Sequence, residues 1–177
     1  MARHALKEGP RYVDGRYLAE RRRNPFVQTS LGGRVLSASQ LPWFTLLPPR
    51  GFGVLTTTGR KNGKRRSRCV RAIRRGDRAY LVAIGGEFSG WLKNVRANPT
   101  VRLRIKGGMF TGVARELRDA AERQEATAAY CETVNPFDYL ECRAHRKGRP
   151  THSKIVELHR TWFEGGIPLV IELRNAR

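Results

Sequence analysis

"SRCVRAIRRGDRAYLVAI", residues 67–84, decides the fold. Cys69, Arg71 and Ile73 alternate with Val70 and Ala72, Gly76-Asp77 interrupts the run, and Tyr80, Leu81 and Val82 resume it. Period-two alternation before a Gly-Asp pair and an apolar run after it predict a β-hairpin. The embedded Arg-Gly-Asp tripeptide is read as the turn of that hairpin and not as an adhesion motif.

The β signal spreads in both directions. Upstream, "GVLTTT" (53–58) is rich in β-branched residues and predicts a strand. Downstream, Val101, Leu103 and Ile105 alternate with Arg102, Arg104 and Lys106. That pattern predicts a strand with one buried and one cationic face. Gly107-Gly108 turns the chain, and 109–115 return antiparallel. Trp91, Leu92 and Val95 predict a short helix ended by Asn98-Pro99. Asp119 is placed to cap a helix running to about Val134. Residues 143–150 read as a basic loop, 151–164 as a second helix, and "GIPLVIELR" (166–174) as a final strand. In "GGRVLSASQLPWFTLLPPRG" (32–51) the first half predicts a short helix entering the domain. Residues 1–33, basic and broken by Pro10 and Pro25, read as an extension with a short helix around 14–23, and 34–177 as one domain. Short hairpins with peripheral helices predict a mainly antiparallel α+β barrel.

The charge is the unusual feature. The 177 residues hold 35 Lys+Arg against 15 Asp+Glu, a formal net charge of +20. Such an excess calls for a polyanionic partner. Nucleic acid, an anionic membrane and a phosphorylated or carboxylate-rich small molecule all qualify. Three cysteines (Cys69, Cys131 and Cys142), an odd number, fit reduced thiols in a cytosolic protein better than a disulfide framework. The first residues lack a signal-peptide apolar core, and no run approaches the roughly 20 apolar residues needed to span a bilayer. The expectation is a cytoplasmic protein, with peripheral membrane association as an option.

Much of the charge gathers in "LTTTGRKNGKRRSR", residues 55–68. Arg60, Lys61, Lys64, Arg65, Arg66, Arg68, Arg71, Arg74 and Arg75 crowd one hairpin. Gly59 and Gly63 allow the backbone to curl so that N–H groups form an anion-binding concavity beside guanidinium forks. It is not a P-loop, because no Ser or Thr follows Lys64 and the glycine spacing is shorter. A solvated basic hairpin with no dedicated ligand is the other reading.

"LTTTGRKNGKRRSR", "GDRAYLVAIGG", "GWLKNVRANPTV" and "IPLVIEL", in this order from about Leu46 to Leu173, resemble the deazaflavin-dependent nitroreductase family of actinobacteria. The resemblance implies a split β-barrel of the FMN-binding-like type and coenzyme F-420, an 8-hydroxy-5-deazaflavin with a phosphodiester and a glutamate tail. It implies that Gly59, Arg60, Lys61, Asn62, Gly63 and Arg66 contact the phosphate and tail. Gly85 and Gly86 match the family's phosphate loop, and Trp91, Lys93 and Asn94 its helix beside the ring. The implied reaction is hydride transfer from reduced F-420 to an activated alkene, quinone or nitroaromatic. Tyr130 and Tyr139 are loose counterparts of substrate-contacting tyrosines, and Tyr139 is assigned as proton donor or substrate contact. The chain departs from the family at Cys69-Val70, at Ile84, in the short 87–90 loop and in an insertion over 143–160. The family also suggests a homodimer.

Other groupings rank lower. His145, His152 and His159 recur every seven residues, with Cys142 near, but match no zinc spacing and read as exposed helix and loop histidines. Glu157 and Glu164 read as a solvated helix face, and Trp43, Trp91 and Trp162 as core. The rival functions are a nucleic-acid module using Arg102, Arg104, Lys106 and Arg21-Arg22-Arg23, peripheral docking on anionic membrane through the same arginines and Trp43-Phe44, and a barrel that binds FMN instead. No recognition helix or RNP-type aromatic motif supports the first.

Overall fold

The computed structural model describes residues 30–175. Helix α1 (Ser30–Leu46) leads into β1 (Phe52–Thr58), β2 (Arg65–Arg75) and β3 (Arg78–Ala83). A 3-10 turn (Gly86–Phe88) and α2 (Gly90–Ala97) follow, then β4 (Thr100–Ile105) and β5 (Gly108–Glu116). Three helices, α3 (Ala120–Glu132), α4 (Pro136–His145) and α5 (His152–Gly165), precede β6 (Ile167–Asn175).

The six strands close into an antiparallel barrel in the order β1-β2-β3-β6-β5-β4. Both expected hairpins form, with Arg75 opposite Arg78 across the Gly76 turn and Ile105 opposite Gly108. Inward-facing Leu55, Ala72, Leu81, Leu103 and Ile171 fill the interior, and Leu92 and Val95 of α2 pack into the same cluster. The strands approach so closely at Gly53 that a Cβ there would lie 2.2 Å from the Arg104 carbonyl oxygen. Outside the barrel, Ile73, Tyr80, Val82 and Val170 are covered by Ala126, Tyr130 and Phe163 of α3 and α5. Phe44 of α1 packs on Phe52 and Val54.

Several expectations need correction. The helix in 32–51 is not short: α1 passes through Pro42 to Leu46 and starts at Ser30, so the 33/34 boundary lies inside it. The expected helix at 14–23 lies outside the described residues. Residues 143–145 are not loop but the end of α4, an element the period-based reading missed. Its start is nonetheless written locally, with Asn135 and Asp138 forming a capping box around Pro136. Asp119 caps α3 as expected, accepting from the Glu122 N–H.

Candidate functional site

The cationic turn joins β1 to β2, and its shape follows from its glycines and Asn62. Gly59 N–H donates to the Lys64 carbonyl at 2.8 Å and Gly63 N–H to the Gly59 carbonyl at 2.8 Å. The Lys64 N–H donates to Asn62 Oδ1 at 3.2 Å. Gly63 has φ +67°, a backbone region that glycine enters without steric cost. Asn94 reaches the turn from α2. Its Oδ1 accepts from the Arg60 N–H at 3.2 Å and from Arg60 Nη1 at 3.4 Å. Its Nδ2 donates to Thr57 Oγ1 at 3.1 Å.

These bonds correct one expectation. The N–H groups of Gly59, Arg60, Asn62, Gly63 and Lys64 are engaged within the protein and do not form a concavity of free donors. Asn94 is buried and bonds the turn through both ends of its amide.

The hairpin's charge is also thinner than the sequence suggests. Arg71 is buried, its Nε donating to Asp138 at 2.9 Å and its Nη atoms to the carbonyls of Tyr130 and Thr133. Arg74 folds over the Phe110 ring, and Arg75 donates to Thr133 Oγ1. What remains at the turn is Arg60, Lys61, Lys64, Arg65 and Arg66, all exposed. Among the described residues none of these five has an ion-pair partner, while Arg78, Arg96, Arg115, Arg123 and Arg146 each pair with a glutamate.

The bonds of Asn94 to Arg60 and Thr57 bring helix α2 to this end of the barrel. Leu81 pairs with Ala72 and β3 runs antiparallel to β2, so β3 ends with Ala83 level with Val70, midway along β2. Gly85 and Gly86 follow directly, Gly86 with φ +52°. The next residues on the chain form α2, where Trp91 packs half-buried against the interior cluster and Lys93 is exposed. Arg96 braces this segment, bonding Glu87 on one side and Glu116 on the other.

The tyrosines lie elsewhere. Tyr130 is buried beneath the Arg71 guanidinium, 4.5 Å from its ring centroid. Tyr139 is exposed on α4, a helix entered through Asn135, which abuts Gly51. Gly51 and Gly59 flank opposite ends of β1, about 27 Å apart at ~3.4 Å per residue. Tyr139 is therefore not brought to the turn.

A buried cluster that sequence reasoning missed joins β2 to the helical layer. His159 is fully buried, not exposed: its Nε2 lies 3.3 Å from Asp138 Oδ1 and its Nδ1 3.2 Å from the Cys131 carbonyl. Burial pushes His159 below its ordinary range, partly offset by Asp138. Burial would raise Asp138, but the His159 hydrogen bond and the Arg71 charge outweigh it and hold the carboxyl at about 2. Burial likewise pushes the Cys131 thiol up to about 12. Glu157 is not on a solvated face either, since it pairs with buried Arg146 at 2.6 Å. No group of three or more His, Cys, Asp or Glu that could hold a metal occurs among the described residues.

The remaining side chains suit a long polyanion: five exposed cations without ion-pair partners sit on a turn tied through Asn94 to the helix that carries the half-buried Trp91. Comparison with known proteins bears on which polyanion. Among solved structures the chain is similar to a domain-swapped dimer, at 26% identity over 78% of this chain and 92% of that one, TM-score 0.49. It is similar to an F-420-H2 dependent reductase, FDR-A, at 25% identity over 70% and 95% of the two chains, TM-score 0.46. It is also similar to HutZ, the heme storage protein of Vibrio cholerae, at 11% identity over 78% and 90%, TM-score 0.49. No curated protein matches the chain. The family model for F-420H(2)-dependent quinone reductase matches residues 38–149, a stretch that contains the turn, the glycine pair and Trp91. The chain is thus an F-420-dependent reductase with F-420 as its cofactor, and it belongs to the F-420H(2)-dependent quinone reductase family.

Proposed function

We propose that this reductase delivers hydride from reduced F-420 to a small electrophilic acceptor of the quinone, activated-alkene or nitroaromatic class. The observation that carries the site assignment is the set of five exposed, unpaired cations on the β1–β2 turn. In this reading Arg60, Lys61 and Arg66 hold the phosphodiester and glutamate tail, with Lys64 and Arg65 adding to the field. Asn62, Gly59 and Gly63 set the shape of the turn. Gly85 and Gly86 let the backbone come close to the phosphate, while Trp91 and Lys93 border the ring. Asn94 holds Arg60 and Thr57 in register. When bound, the coenzyme supplies the hydride; the residues of the chain bind it, orient its ring toward the acceptor and exclude water, and alignment of this kind lowers barriers by several kcal/mol. The division into a basic extension and a reductase domain belongs to the same proposal, with the boundary moved from 33/34 to the start of α1 at Ser30.

The test compares F-420 with a deazaflavin that lacks the phosphate and glutamates. Replacing Lys61→Glu and Lys64→Glu together is expected to raise the Kd of F-420 by about ten-fold or more, reflecting reversal of charge at two contacts. Affinity for the tail-less ring should stay unchanged. Equal affinity of wild type and variant for intact F-420 would overturn the assignment.

A further inference from the structure

The outer wall of the barrel is covered unevenly. Helices α3 and α5 pack over Ile73, Tyr80 and Val170 of β2, β3 and β6, and α1 over Phe52 and Val54 of β1. Between them one row stays bare among the described residues. Strand register lines up Ser67, Thr56, Arg102, Thr111 and Arg174, one residue from each of β2, β1, β4, β5 and β6. Ser67, Arg102 and Arg174 are exposed, and Thr56 and Thr111 are half-buried. The hydroxyls of Thr56 and Ser67 share a bond of 2.9 Å, which leaves one O–H to donate outward. Arg104 and Lys106 continue the cationic side of β4, with Arg104 Nε donating to the Thr45 carbonyl.

Negative charge is missing from this wall. No acidic residue occurs between Glu20 and Asp77 or between Glu87 and Glu116, so β1, β2 and β4 contain no carboxylate. Glu172 of β6 is taken by Arg115 at 2.8 Å. The coenzyme turn uses five cations and leaves most of the net charge of +20 without a counterpart.

The kind of partner follows from what the row holds and lacks. It carries no apolar or aromatic side chain, so it offers neither the apolar core of a protein interface nor a stacking platform for unpaired bases. A second copy of the chain would set like charges against each other. Arginines with Ser and Thr hydroxyls are donors that duplex phosphates accept from. At ~4.8 Å between strands the row spans about 19 Å, wider than the roughly 12 Å major groove of B-form DNA, so its ends can reach the phosphates on either side. The major groove of A-form RNA is deep and narrow and gives such a wall no seat.

We infer that this wall docks on double-stranded DNA without regard to base sequence, with Ser67 and Arg174 on the phosphates of the two groove edges and Arg102 between them. The contact is separate from the coenzyme turn and uses none of the residues assigned to it.

The experiment follows the fluorescence anisotropy of a labelled DNA duplex of mixed sequence as the full chain is added, without F-420, over a range of salt. Binding that weakens steeply with salt is expected. Arg102→Gln with Arg174→Gln should raise the Kd by about ten-fold or more and flatten the log–log salt slope by about two, one for each cation removed. Arg143→Gln with Arg160→Gln removes the same charge from the helical side and should stay within about two-fold of wild type at physiological salt. Six results would overturn the inference: no binding, equal losses in the two variants, tighter binding of single strands or of duplex RNA, displacement of the DNA by polyglutamate at equal charge, self-association that Arg102→Gln abolishes, or loss of binding when residues 1–29 are removed. F-420 affinity of the Arg102→Gln/Arg174→Gln variant, expected to be unchanged, shows that the fold is intact. It also separates failure at this wall from failure at the coenzyme turn.

Discussion

Asn94 and Arg60 are joined twice, through the backbone N–H and through Nη1 of Arg60, both onto the same amide oxygen. One side chain on α2 thereby fixes the position of the turn that carries the unpaired cations. Replacing Asn94→Leu strands the Arg60 N–H and removes the donor to Thr57 Oγ1, which keeps only its bond to the Arg66 carbonyl. At about 1 kcal/mol for each lost hydrogen bond, the Kd of F-420 should rise by about ten-fold or more. Turnover at saturating coenzyme should change less, which a comparison of kcat with KM for F-420 will show.

Gly63 tests the turn by itself. Nothing lies within 4 Å of a Cβ placed there, so Gly63→Ala meets no clash and feels only the cost of φ +67°. A loss of about 1 kcal/mol is expected, readable in urea denaturation.

The Arg71–Asp138 pair is the opposite case, a deeply buried contact far from solvent. Arg71→Ala leaves Asp138 charged in the interior with only His159 and the Asn135 N–H beside it. Destabilisation of about 3–5 kcal/mol is expected. Arg71→Met combined with Asp138→Leu should cost much less, and a double-mutant cycle in urea will measure the difference.

Acid should weaken this protein in two stages. His159 is held below its ordinary 6.5, so the unfolded chain takes up its proton first and stability falls as pH drops through that value. Asp138, held at about 2 against an ordinary 3.8, adds a second loss as pH falls between these two values. Thermal scans from neutral to acid pH should show both declines, and His159→Gln should remove the first while lowering Tm throughout.

Tyr139→Phe should leave kcat/KM within about two-fold of wild type, a change smaller than the loss of one positioned proton donor, because α4 starts at the far end of β1. A loss of two orders of magnitude in steady-state assays would return Tyr139 to the site.

The sequence made the barrel legible because its strands alternate cleanly. Val101, Leu103 and Ile105 face inward, and Arg102, Arg104 and Lys106 face out, as their spacing requires. The turn was legible for the same local reason, glycines amid cations. Tertiary context hid the rest. Arg71 looks like any other arginine of the hairpin, yet it is neutralised by Asp138, sixty-seven positions away. His159 reads as an ordinary helical histidine until Cys131 and Asp138 close around it. Trp43 and Phe44 are adjacent, and only the packing of Phe44 on Phe52 shows that one is inside and the other out. The curled turn was foreseen, but not that its N–H groups are taken up by its own carbonyls and by the side chains of Asn62 and Asn94; such partners leave no periodic trace.

Strand β6 sits between β3 and β5, although three helices separate it from β5 along the chain. The first five strands associate through neighbouring hairpins and the β1–β4 contact, while β6 has to be threaded into a gap they leave open. Closing that gap brings together distant segments and is the slow, entropy-limited event of assembly. Until it happens, the edges of β3 and β5 are bare, and amide-exchange labelling during refolding should find those two strands guarded last.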